Sequence, residues 1–137
     1  MSNLDPQLSK PRILVVGAHE DTVRVTRMVF EHFGLVVVGT ALAIDKALAI
    51  ARAGEPAFDL LFSTSRVYGD GDARDMLRAL RRDGWTGPAI LTTANAFEED
   101  IVADCRDAGF AAVLPKPSSA EAMLAAIRDC ATPSSIP

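Results

Sequence analysis

The chain has 137 residues, of which 49% are hydrophobic and 23% charged; that balance excludes a disordered polymer, and at roughly 100 to 200 residues per domain it leaves room for one core and no second effector module. Its formal net charge of −4 gives no general attraction to phosphate backbones or anionic lipid, so neither nucleic acid nor membrane is an expected partner. The opening stretch MSNLDPQLSKPR holds no apolar run like a signal peptide and no later run is long enough to span a bilayer, so a cytoplasmic location is expected.

After a polar lead over residues 1–11, Arg12-Ile13-Leu14-Val15-Val16 is a β-branched run ending at Gly17, which predicts a first strand. Val25, Met28, Val29 and Phe33 then recur at helical spacing up to Gly34. Leu35 to Thr40 reads as the second strand, and Ile44, Ala47, Leu48 and Ala51 form the stripe of a second helix closed by Gly54 and Pro56. Phe58 to Ser63 is the third strand. Ala73, Met76, Leu77 and Leu80 mark the third helix, which ends in Arg81, Arg82 and Gly84, cations and a glycine suited to a helix C-terminus.

Ala89 to Thr93 is the fourth strand. A fourth helix opens on Glu98, Glu99 and Asp100, acids that suit the positive end of the helix dipole, and carries Phe97, Ile101, Cys105 and Ala108 on one face up to Gly109. Ala111 to Leu114 is a short fifth strand. Ser118 and Glu121 have capping-box spacing ahead of a last helix with Met123, Ile127 and Cys130 on its apolar stripe. One domain over residues 12–130 and a tail over 131–137 follow from this division.

Strands that alternate with helices need crossover connections, and those are right-handed, so the pattern predicts an α/β fold: a doubly wound parallel sheet of five strands in the order 2-1-3-4-5, flanked by five helices. In such sheets ligand chemistry gathers at the carboxyl ends of the strands, around the switch point between the first and third. The residues to interrogate are thus Gly17 to Asp21, Thr64 to Asp72, Thr93 to Asn95 and Pro115 to Pro117. Cys105 and Cys130 lack the close spacing of a zinc or redox motif and read as buried thiols.

Arg12-Ile13-Leu14-Val15-Val16 before His19-Glu20-Asp21-Thr22, the stretch Phe58-Asp59-Leu60-Leu61-Phe62-Ser63, and Ala108-Gly109-Phe110 before Leu114-Pro115-Lys116-Pro117 together resemble the receiver domain of two-component response regulators, a flavodoxin-like fold. The resemblance runs from Arg12 to Cys130. It implies that Thr93 stands for the hydroxyl at the end of the fourth strand, that Lys116 stands for the phosphate-pairing lysine, and that Lys116-Pro117 is the dipeptide often joined by a cis bond. It also implies where the chain departs from the family. Receivers hold Mg²⁺ on an acid pair after the first strand, where this chain has Gly17 and Ala18, and take phosphate on an aspartate after the third, where it has Thr64. A hard cation needs oxygen ligands, and a threonine hydroxyl is a poor nucleophile without a base or metal to activate it. The switch aromatic of the fifth strand is Val113. No metal, no cofactor and no catalytic residue are therefore expected.

Each of these residues also has an ordinary reading. Lys116 without acids around it is a solvated lysine; Ser63, Thr64 and Ser65 are the small polar residues of a strand end. Asp21 suits the N-cap of the first helix, Asp70 and Asp72 suit a turn and the cap of the third helix, and Arg78, Arg81 and Arg82 suit a solvated helix face. The reading the residues favour is an atypical stand-alone receiver in two-component or phosphorelay signalling, a pseudo-receiver that binds a histidine kinase, a phosphotransferase or another receiver without being phosphorylated. By analogy with the family, the fourth helix, fifth strand and fifth helix offer the docking or homodimer face. Two alternatives stand beside it: a small-molecule or anion sensor in the vacated phosphorylation pocket, and residual phosphotransfer on Asp59, Asp70 or Asp72.

Overall fold

A computed structural model describes residues 11–55, 57–64 and 72–131; Pro56, Ser65, Asp70, most of the polar lead and most of the tail lie outside the described residues. The chain runs β1 (Arg12–Val16), α1 (Glu20–His32), β2 (Val36–Ala41), α2 (Ile44–Ala53), β3 (Leu60–Thr64), α3 (Ala73–Arg82), β4 (Ala89–Thr93), α4 (Glu99–Ala108), β5 (Ala112–Pro115) and α5 (Ala120–Ala131). The five strands form one sheet in the order β2-β1-β3-β4-β5, every neighbouring pair parallel. The expected architecture and strand order are present.

Alternation along the strands splits the core into two layers. Leu14, Val16, Leu61 and Leu91 point to the layer built with α2, α3 and α4, where Leu48, Met76, Leu77, Leu80 and Phe110 pack. Ile13, Val15, Leu60, Phe62 and Ile90 point to the opposite layer, where α1 and α5 bring Val23, Phe30 and Ile127. Phe30 meets Phe62 edge to face at 4.9 Å between ring centres, a geometry that aligns the positive ring edge with the negative face. Burial on both faces explains why the strands read as continuous apolar runs.

Several details differ from the sequence reading. The buried side of α1 is Val23 and Phe30, whereas Val25, Met28 and Phe33 are 52%, 59% and 53% exposed. Thr22 and Thr26 are half-buried, so polar residues interrupt the true stripe and shift its apparent phase. The N-cap of α1 is His19, without a side-chain cap bond; Asp21 lies in the first turn and pairs with Arg24 at 2.9 Å. Phe97 precedes α4 and is 86% exposed, because Glu98 N–H donates to the Asn95 carbonyl and the chain turns before the helix starts. Ahead of α5 it is Ser119, not Ser118, whose hydroxyl accepts from Ala122 N–H, at 3.0 Å; Ser118 Oγ instead donates to the Pro115 carbonyl. Asp72 does cap α3, accepting from Arg74 N–H and Asp75 N–H, with the Asp75 side chain accepting from Asp72 N–H in return.

Candidate functional site

Gly17 follows the last residue of β1, and its N–H donates to the Ala41 carbonyl of β2 at 3.1 Å. Both Gly17 and Ala18 are buried. Thr64, the last residue of β3, is 7% exposed and lies directly against Gly17: a Cβ on that glycine would sit 3.2 Å from Thr64 Oγ1. Such a contact is tighter than ordinary van der Waals packing, so the threonine occupies space that a side chain at position 17 would claim.

Across the sheet, Thr64 pairs in register with Thr92. The two residues have the same parity as Phe62 and Ile90 and line a pocket of about 520 Å³ on the α1 and α5 side, together with Lys116 and Pro117. Lys116 and Pro117 follow β5 and are joined by a cis peptide bond. Thr93 has the opposite parity. It lines a smaller recess of about 250 Å³ with Asp72, Asn95 and Cys105 on the α3 and α4 side, and its Oγ1 accepts from Asn95 N–H at 3.2 Å. The structure therefore brings Gly17, Thr64 and Lys116 to one edge and sets Thr93 in the neighbouring recess. Thr92, which sequence reasoning passed over, is the hydroxyl that shares the pocket of Thr64; its parity with Ile90 was the available signal.

Burial works against the charge on the Asp72 carboxyl in the smaller recess. The hydrogen bonds from the Arg74 side chain and from the backbone N–H groups of Arg74 and Asp75 outweigh that effect and hold it below the usual carboxylate range. Burial pushes the Cys105 thiol up, against the opposing pull of Arg74. At the other end of the sheet Asp59 is clamped by Arg12 through Nε at 2.9 Å and Nη2 at 2.8 Å. Hydrogen bonding to Arg12 lowers the Asp59 carboxyl, and its position at the amino ends of the strands separates it from Thr64.

No protein-family model and no curated protein sequence matches this chain. Solved structures do match it in shape. The signal receiver domain of the putative response regulator NarL from Mycobacterium tuberculosis shares 27% identity over 90% of this chain and 97% of its own, with a TM-score of 0.79. A CheY-like response regulator receiver domain protein from Methanospirillum hungatei JF-1 shares 23% over 90% of this chain and 94% of its own, with a TM-score of 0.76. A chain of the CheX-CheY-BeF3-Mg complex from Borrelia burgdorferi shares 19%, covering 92% of this chain and 93% of its own, with a TM-score of 0.79. The chain has the fold of response-regulator receiver domains.

On this fold Gly17 and Ala18, directly after β1, and Thr64, at the end of β3, carry no carboxylate. Gly17 and Ala18 have no side-chain oxygen to offer Mg²⁺, and Thr64 contributes one hydroxyl, so this donor set does not fit a cation that takes near-octahedral oxygen coordination. Among the described residues no group of three or more His, Cys, Asp or Glu side chains could hold a metal ion. Val113, at the position the resemblance gives to a switch aromatic, is half-buried and packs against the α3 and α4 layer. Among the described residues no helix is long and apolar enough to cross a membrane.

Proposed function

We propose that this domain acts in two-component or phosphorelay signalling as a pseudo-receiver, a protein-binding module that takes up no phosphate and performs no chemistry of its own. The observation that carries this reading is the packing of Thr64 against Gly17: the acceptor position and an acid-pair position have filled one another's space with uncharged groups. A threonine hydroxyl is a poor nucleophile unless a base or metal activates it, and here Thr64 packs against Gly17 and pairs across the sheet with Thr92. Of the candidate acceptors among the described residues, Asp59 is engaged by Arg12 and Asp72 by the cap of α3.

The partner that fits is another signalling protein, a histidine kinase, a phosphotransferase or a receiver; the Borrelia burgdorferi CheX-CheY complex is one case of a structurally similar chain in a protein complex. The face built by α4, β5 and α5 presents a groove lined by Arg106, Val113, Ala122 and Asp129, where opposite charges on either side of small residues suit a protein surface and a second copy of this chain alike.

Incubation with acetyl phosphate and Mg²⁺, read by intact mass, tests the first half of the reading. Unchanged mass is expected, and one stoichiometric base-labile phosphate would sink it. Titration with purified kinase, phosphotransferase and receiver domains tests the second, with Arg106→Glu and Asp129→Lys expected to abolish binding. Retained affinity in both variants would move the interface off this face.

A further inference from the structure

The pocket beside Thr64 is larger and more apolar than a phosphate site requires. Its floor is Val15 and Phe62 from the sheet; α1 supplies Val23, Val25 and Val29, and α5 supplies Met123. Protein interiors ordinarily close such space to crystal-like density. Here α1 and α5 are held apart over short side chains, Thr22 and Thr26 on one helix and Ala120 on the other. Its volume of about 520 Å³ lies inside the range of about 300 to 1,000 Å³ typical of sites for small organic ligands.

The polar groups of the sheet and of the segment after β5 sit at one end, while on α1 the Thr26 hydroxyl donates to the Thr22 carbonyl. Thr64 and Thr92, cross-strand neighbours, bring hydroxyl-bearing side chains to the carboxyl edge of the sheet, and Lys116 and Ser118 form the rim above them. Among the described residues, two charged side chains line the cavity. Asp21 is engaged with Arg24 at 2.9 Å, whereas the Lys116 ammonium has no ion pair among the described residues. An apolar trough with the Lys116 ammonium at its mouth is complementary to a single-headed anion with a hydrocarbon body.

We propose that the cavity between α1 and α5 binds a small amphipathic carboxylate, its apolar body against Val15, Phe62 and Val29 and its carboxylate at Lys116. Ammonium–carboxylate hydrogen bonds are stronger than neutral ones, so Lys116 fixes the orientation while the trough supplies affinity through burial of hydrocarbon. This site goes beyond the protein-binding reading and does not rest on it. Occupancy would couple to the neighbouring edge, because α5 contributes both to the cavity and to the groove with α4 and β5.

The test is a two-dimensional amide NMR titration of the full chain with sodium octanoate, 1-octanol and inorganic phosphate in parallel. Saturable shifts from octanoate are expected in α1, α5 and the carboxyl ends of β1 and β3. Lys116→Met should weaken octanoate by about tenfold or more while leaving 1-octanol within about twofold. Thr26→Phe, which fills the trough, should abolish both while the spectrum remains that of a folded domain. Absence of saturable shifts, shifts scattered over other faces, or equal octanoate affinity in Lys116→Met overturns the proposal. Phosphate binding as tightly as octanoate overturns it too, since the site would then be an anion site that makes no use of the cavity.

Discussion

Gly17 and Thr64 share one volume: a methyl group on Gly17 would stand 3.2 Å from Thr64 Oγ1 and 3.3 Å from its Cγ2, with Val23 Cγ2 at 3.1 Å. All three neighbours are side-chain atoms that can give by a few tenths of an ångström, so Gly17→Ala should fold at a cost of about 1 kcal/mol, the low end of overpacking. Shortening Thr64 should relieve part of that strain. In a double-mutant cycle by urea unfolding, Gly17→Ala with Thr64→Ala is expected to be about 0.5 to 1 kcal/mol more stable than the sum of the single variants. Strict additivity would show that the two residues do not compete for the same space.

The cap of α3 gives a pH-dependent prediction. Asp72 accepts from Arg74 N–H at 2.9 Å and from the Arg74 guanidinium at 2.6 Å, and its carboxyl is lowered in the folded state. A carboxyl with a depressed folded value contributes stability that is complete above its unfolded value, near about 3.9, and is lost as pH falls through the folded value. Asp72→Ala should therefore cost about 1 kcal/mol at neutral pH, within the range of about 0.5 to 2 for a lost cap. The difference between the two proteins should shrink below about pH 4, which thermal unfolding across pH would read directly.

The Arg12–Asp59 clamp has the same sign with a smaller effect. Hydrogen bonding to Arg12 holds the Asp59 carboxyl down, but its side chain is 44% exposed, and solvent screens exposed pairs. Asp59→Asn should lower the melting temperature slightly at neutral pH and not at all in acid below the folded value of Asp59. The same variant should leave any phosphate uptake unchanged. A loss of phosphorylation in Asp59→Asn would instead assign it the acceptor role.

Thiol accessibility separates the two cysteines. Cys105 is 3% exposed in the layer beneath α3 and α4, whereas Cys130 on α5 is only partly buried. Burial raises both thiols and so suppresses the reactive thiolate in each. A native-state titration with an aromatic disulfide should modify Cys130 slowly and first, with Cys105 reacting on the timescale of unfolding. Equal rates would mean that the α3 and α4 recess opens far more readily than its packing implies.

Element order and sheet topology were legible because each short apolar run is followed by a stripe of helical period, and Gly34, Gly54, Gly84 and Gly109 mark the ends of the first four helices. The site was legible only in part. Thr64 and Lys116 could be placed by order along the chain, but which threonine of Thr92-Thr93 faces Thr64 depends on strand parity, fixed by the pairing of Thr64 with Thr92. Two threonines on the inner side of α1 disguised its buried stripe. The trough between α1 and α5 left no mark in the sequence, because a cavity arises from how far apart two helices settle over small residues, and no single residue announces that distance.

Gly87 shows a close approach of another kind, away from the site. It is not among the glycines with positive φ, so backbone conformation does not demand it. A Cβ there would meet the Asp59 carbonyl oxygen at 2.5 Å and Trp85 Cζ2 at 2.6 Å. Trp85 cannot swing away cheaply: its Nε1–H donates to the Phe58 carbonyl at 3.0 Å, its ring packs on Phe58 at 4.9 Å, and Arg81 lies over it at 5.2 Å while donating to the Gly87 carbonyl at 2.7 Å. Since the nearest atom belongs to the backbone, relief requires the segment before β3 to move. Gly87→Ala should cost about 2 to 3 kcal/mol, the upper part of the overpacking range, and more than Gly17→Ala, whose neighbours are side chains. Trp85 is the only tryptophan, so its emission reports on this corner, and a red shift in native Gly87→Ala is expected as the ring loses its seat. If Gly87→Ala matched the wild type in both emission and urea midpoint, the corner between α3, β3 and β4 would be looser than these distances require.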